Sequence, residues 1–143
     1  MSVRKKISKE SLTLRETEEC ILRCIAKAKE IGIEISVAIV DQYGYLKSFA
    51  RMDGASWLSP DIAIRKAYTA VAFRRSSAES GTRFRDAVHI ASSLNAMSGG
   101  KIFLDGGGLV LEKNNQIAGG IGVSGGTSEE DIRCAQAGLL PVS

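Results

Sequence analysis

Apolar and polar positions change period several times along the chain, and each change marks an element. Behind Thr13 and Glu16, which form a capping box, Leu14, Thr17, Ile21, Cys24, Ile25, Ala28 and Ile31 recur at helical spacing until Gly32 ends the run. The period then falls to two: Ile33, Ile35, Val37 and Ile39 alternate with Glu34, Ser36, Ala38 and Val40, a strand with one strongly apolar face. Asp41-Gln42-Tyr43-Gly44 supplies turn chemistry, so Tyr45–Met52 reads as the return strand of a hairpin. Ser59-Pro60-Asp61 opens a second helix that runs to about Arg75, with a capping hydroxyl, proline at the first helical position and an acid in the first turn. Its small positions Ala63, Ala67 and Ala70 favour close packing on a sheet. Ser76–Thr82 reads as a loop, Arg83–Leu94 as a third helix with Phe84, Ala87, Val88 and Ala91 inward, and Lys101–Leu104 as a short extended piece.

Gly106–Asp131 departs most from ordinary strand composition. Two apolar runs, Leu109–Lys113 and Gln116–Val123, flank Asn114-Asn115, a pair that tolerates the positive φ angles of a two-residue hairpin turn. The second run carries Gly119, Gly120 and Gly122, which weaken a strand interior unless another backbone, a ligand or a neighbouring subunit approaches closely. A glycine-rich turn, Ser124–Ser128, then feeds a helix, Glu129–Gly138, capped by Thr127 or Ser128 with Glu130 or Asp131 completing a box. Such a turn leaves backbone N–H groups free to face an anion. Glu129, Glu130 and Asp131 oppose that use, and no Gly-Lys-Ser or Gly-Lys-Thr follows, so a structural turn is the favoured reading.

Composition narrows the class without naming an activity. At 143 residues the chain suits one domain, residues 11–143, preceded by a loose basic tail over residues 1–10 that carries Arg4, Lys5, Lys6 and Lys9. The tail lacks the apolar centre of a signal peptide, and the longest apolar stretch, Ile31–Val40, is too short to span a bilayer. A net charge of +3 without aromatic interleaving argues against nucleic acid. Three cysteines in no framework spacing fit a reducing, cytoplasmic setting.

Candidate chemistry gathers in a few places. Arg51 and Asp53 flank the glycine turn Arg51–Ala55 at a strand end, where either a binding loop or a surface ion pair fits. Arg65, Lys66, Arg74, Arg75, Arg83 and Arg85 give a basic edge able to pair with carboxylates or phosphates, or simply a solvated surface. Cys20 and Cys24 lie one turn apart, but nothing nearby completes a metal site, so buried small hydrophobes is the preferred reading. His89, the single histidine, reads as a partly buried core residue with no nucleophile motif beside it, and no catalytic residue is assigned.

Taken in order, Val37-Ala38-Ile39-Val40-Asp41 with Gly44, Arg51–Ala55, Lys66-Ala67 with Thr69-Ala70, Gly106–Gly108, Gly119–Gly126, Asp131 and Ala137-Gly138 resemble the GlcG/HbpS-like domains. These include the C-terminal domain of the PduO cobalamin adenosyltransferases. The resemblance spans about Ser11 to Leu139 and implies an α+β, profilin-like fold: a central antiparallel sheet of about five strands with helices on its faces, in the order αββααβββα. It also implies dimers or higher homo-oligomers and a small-molecule ligand, haem or a related tetrapyrrole such as a corrinoid. The adenosyltransferase domain of two-domain members is absent from this sequence. Where such a domain ligates iron through a histidine of the first helix, this chain has none. The ligand-binding candidates are Arg51, Asp53, Lys66, Thr69, Gly120, Ser124, Gly125 and Gly126, with Arg74 or Arg75 as further partners for acidic groups. Two other functions stay open: an accessory or assembly role beside an enzyme of diol, glycerol or glycolate metabolism, and a haem-degrading enzyme.

Overall fold

The computed structural model describes residues 4–139. Within them the chain forms α1 (Leu14–Ile31), β1 (Ser36–Asp41), β2 (Leu46–Arg51), α2 (Ser59–Phe73), α3 (Ser77–Arg83), α4 (Val88–Met97), β3 (Gly108–Lys113), β4 (Gln116–Ser124) and α5 (Ser128–Ala137). The strands make one antiparallel sheet in the order β2-β1-β4-β3. It has four strands rather than about five, because Lys101–Leu104 pairs with no strand. That segment is fastened instead by its Phe103 N–H, which donates to Thr69 Oγ1 at 2.8 Å.

Alternation along β1 and β4 sends side chains to two different partners. Val37, Ile39, Ile121 and Val123 meet Cys20, Cys24 and Ala28 of α1 and Cys134 and Ala135 of α5 in the main core. Each such aliphatic side chain, fully buried, is worth about 1.5–3 kcal/mol. On the opposite face Val40 meets Ala67 and Val71 of α2, and the positions beneath the helix are small. A Cβ at Gly122 would lie 2.0 Å from the Ala63 carbonyl oxygen, and one at Gly120 would lie 2.7 Å from that of Ala67. The glycine strand is therefore covered by main chain of the same molecule, which is the close approach that its composition demanded.

Both late elements form as their local chemistry dictates. Asn114 and Asn115 have φ of 53° and 61°, the left-handed pair of a tight hairpin turn, and join β3 to β4. Thr13 with Glu16, and Thr127 with Glu130, each make a reciprocal capping box at the start of α1 and α5.

Several local expectations change. Ser59 is the first residue of α2 and not its cap; its hydroxyl donates to the Ser56 carbonyl at 2.6 Å and lies 2.8 Å from Ser36 Oγ. Most of the segment 76–82 is helical, as part of α3 (Ser77–Arg83), because Ser76 caps it by accepting from Glu79 N–H, and the chain turns at Phe84 before α4 begins. A single helix over residues 83–94 therefore does not form, and α4 buries none of its residues. Val88 is 69% exposed where an inward position was expected, and His89 is exposed too, so it is no core histidine. The basic N-terminal segment is pinned at Lys6–Ser8: Ile117 N–H donates to Lys6 O and Ser8 N–H donates to Ile117 O, both at 2.8 Å. The first three residues of the tail, and residues 140–143 of the domain, lie outside the described residues.

Candidate functional site

One end of the sheet collects most of the flagged residues. Ser36 opens β1 and pairs in register with Arg51, the last residue of β2, and with Ser124, the last of β4. Arg51, Ser36 and Ser124 thus form a row across three strands, and the loops leaving β2 and β4 bring Asp53, Gly125 and Gly126 to the same corner. Arg51 and Asp53 are exposed, and neither makes an ion pair among the described residues. Their loop is held by main chain: Met52 N–H donates to Ile35 O at 2.9 Å and Ala55 N–H to Met52 O at 3.0 Å.

Lys66 enters this corner from α2, but its ammonium is only 2% exposed and already engaged. Nζ donates to Val123 O and to Asp131 Oδ2, each at 3.0 Å, while Gly126 N–H donates to Asp131 Oδ1 at 2.8 Å. One buried ion pair thus ties α2, the end of β4, the glycine turn and α5 together. Burial pushes the Asp131 carboxyl up, and the Gly126 N–H and the Lys66 ammonium pull it the other way. Gly107 makes room for the pair, since a Cβ there would stand 3.0 Å from Lys66 Nζ and 2.6 Å from Val123 O. The Phe103 ring centroid lies 6.0 Å from Nζ and closes one side.

The remaining candidates are placed elsewhere. Thr69 is buried one turn beyond Lys66, donates to Arg65 O at 2.7 Å and receives Phe103 N–H, so its hydroxyl positions the 101–104 segment. Gly120 lies in mid-sheet under α2, away from the corner. Arg74 and Arg75 follow α2, whose 15 residues put them roughly 22 Å from its start at Ser59. Within one chain they do not meet Arg51. Two residues of the corner escaped assignment from the sequence, Asp131 as the partner of Lys66 and Ser36 as the bridge to Ser59. A lysine on the small-residue side of a helix was the available signal for the first, because a buried ammonium demands a counter-charge.

Donors for a tetrapyrrole iron are scarce. Cys20, Cys24 and Cys134 are fully buried, and burial pushes all three thiols up, Cys134 to about 11, so none is available as a thiolate. His89 is accessible, but it sits on α4 and not at the sheet corner. Among the described residues no group of three or more His, Cys, Asp and Glu could hold a metal ion, and no helix is long and apolar enough to cross a membrane. The corner presents the exposed Arg51, Asp53, Gly125 and Gly126, and the three buried cysteines lie in the main core rather than there.

Comparison with known proteins agrees with this architecture. The chain is 35% identical over 132 residues to an uncharacterized 15.0 kDa protein in the dhaT-dhaS intergenic region of Citrobacter freundii, covering 90% of each. It is 29% identical over 136 residues to the corrinoid adenosyltransferase PduO of the same organism, covering 93% of this chain but only 39% of that protein. Among solved structures it resembles the PduOC:heme complex with a TM-score of 0.79 and 28% identity, over 91% of this chain and 94% of that one. The model of the family named haem degrading protein HbpS-like matches residues 12–140, and the chain belongs to that HbpS-like family.

Proposed function

We propose that the protein is an oligomeric binding domain for haem or a related tetrapyrrole. The observation that carries this reading is the likeness over nine-tenths of the chain to a domain solved as a heme complex. Arg51 and Asp53 with Gly125 and Gly126 form the proposed contact surface, where the Arg51 guanidinium meets an acidic group of the ligand, and the buried Ser36 and Ser124 lie behind it. Lys66 and Thr69 act behind it, the first by neutralising Asp131 and the second by holding Phe103. Gly120 contributes by letting α2 lie close to the sheet.

Binding accounts for these residues better than turnover does. Asp41 Oδ1 accepts from Tyr43 N–H and Tyr45 N–H at 2.9 and 3.0 Å, Asp131 is paired with Lys66, and Asp53 is exposed. No acid in the matching segments therefore stands free and buried as a general base requires. An accessory role is the second reading, favoured by the PduO relatives, in which a stretch like this chain forms part of a corrinoid adenosyltransferase.

Titration with haemin and with cobalamin separates the possibilities. Haemin should give a saturable Soret change with a micromolar dissociation constant, and Arg51→Ala should weaken it roughly tenfold or more, the value of one charge-assisted hydrogen bond. Absence of any saturable change with either compound removes the binding function. Loss of the haem spectrum when reductant and oxygen are added would convert the reading to a degrading enzyme.

A further inference from the structure

A second concavity lies at the other end of α2. The turn Gln42–Gly44, the last turns of α2 (Tyr68, Val71, Ala72 and Arg74) and the pinned segment Ile7–Lys9 enclose a cleft of about 460 Å³. That volume falls within the range of roughly 300–1,000 Å³ found for small-molecule sites. Its walls are fixed without a ligand. Gln42 is 3% exposed, and its side chain accepts from Ser11 Oγ at 2.9 Å and donates to Ser8 O at 3.1 Å, clamping the N-terminal segment against the hairpin turn. Gly44 lies so close to the Tyr68 ring that a Cβ there would come within 2.9 Å of it, so the ring is backed by main chain.

Charge in this cleft is one-sided. Lys9 and Arg74 line it, no acidic residue does, and neither cation makes an ion pair among the described residues. The neighbouring Asp41 carboxylate is occupied by two backbone N–H groups of its own turn. Lys101, which does not line the cleft, lies over the Tyr68 ring with Nζ 5.4 Å from its centroid. Against Lys9 and Arg74 stand the Asp41 carboxylate beside the cleft and the carboxyl end of α2, worth about half a negative charge, which the two unpaired cations together still outweigh. Arg74 also sits where an arginine is costly. Its φ of 55° is the left-handed conformation that follows a helix and that glycine adopts freely, whereas a residue with a Cβ gives up about 1–2 kcal/mol.

We propose that this cleft binds a small planar organic anion, a carboxylate or phosphate carried on a flat ring, with Lys9 and Arg74 holding the anionic group and the exposed Tyr43 beside the ring. Tyrosine faces suit an unsaturated ring, and guanidinium forks suit either anion. The site is separate from the sheet corner and does not depend on tetrapyrrole binding.

Saturation-transfer NMR with benzoate, phenyl phosphate and the neutral benzamide tests it. Ring protons of at least one anion should show saturable transfer, benzamide none, and the ratio of the two anion affinities identifies the preferred group. Arg74→Gly should raise the anion dissociation constant at least tenfold while leaving Tm unchanged or higher, because glycine relieves the left-handed backbone. A mere folding role for Arg74 would lower Tm instead. Lys9→Gln, on the surface segment, should weaken binding independently. Equal transfer to benzamide, unaltered anion binding in both variants, or no transfer to any probe at millimolar concentration overturns the assignment.

Discussion

Lys66 and Asp131 place two full charges where water scarcely reaches, and their worth is best stated as a difference. Removing one partner strands the other, so Lys66→Met should cost about 3–5 kcal/mol in chemical denaturation, whereas Lys66→Met with Asp131→Leu should recover most of it. Additive losses in that cycle would mean that the pair is not coupled. The three buried thiols make a second claim at this scale. Their folded-state pKa values are raised, so the stability they lend is complete below the unfolded thiol value of about 8.5 and drains away as pH rises beyond it. For Cys134 the loss extends to about pH 11, where its folded-state thiol finally ionises. Urea midpoints should therefore fall between pH 8.5 and 10.5, and less steeply for Cys134→Ala; identical slopes would refute the account. The sequence marked Lys66 and the acid Asp131 separately, but their pairing across 65 positions is a product of tertiary structure and left no local trace.

Helices and strands were readable wherever the deciding chemistry is local. Both capping boxes and both hairpins follow from residues within a few positions of one another, whereas β1, expected with one apolar face, is buried on both because α2 covers the second. The stretch 76–97 was not readable, because its division into α3 and α4 turns on the Ser76 cap and on the bend at Phe84, while its apolar spacing runs on across both. The α2–β4 contact shows how an element can be set by absence of side chains. Gly122→Ala should destabilise by about 1–3 kcal/mol or prevent folding, since the new methyl meets the main chain of Ala63 and Ala67. Gly106→Ala meets the Ile132 side chain instead, and Ile132→Val should restore part of its loss. No comparable partner change exists for Gly122, whose obstruction is a carbonyl oxygen; a second-site suppressor there would contradict the geometry.

For the molecule as a whole, the family and its layered fold were legible because short motifs recur in fixed order along nearly the entire chain. An oligomer stays an expectation from the sequence, to which the fold adds the apolar positions left exposed. Val88 and Met97 on α4 are 69% and 78% exposed, and Trp57 beside the sheet corner is 82% exposed. Such apolar surface on a helix that buries nothing of its own suits contact with another copy. Val88→Glu with Met97→Glu should reduce the mass seen by light scattering without altering the circular dichroism spectrum; an unchanged mass would exclude α4 from the interface. The clamp that Gln42 places on the opening segment carries a consequence of another kind. Trypsin must distort the backbone around a cleavable lysine, and Lys9 adjoins Ser8, which is anchored to both β4 and the hairpin turn. Digestion after Lys9 should thus lag behind digestion after exposed loop arginines, and an occupant of the adjoining cleft should slow it further, making nicking of the chain's first residues a gauge of occupancy.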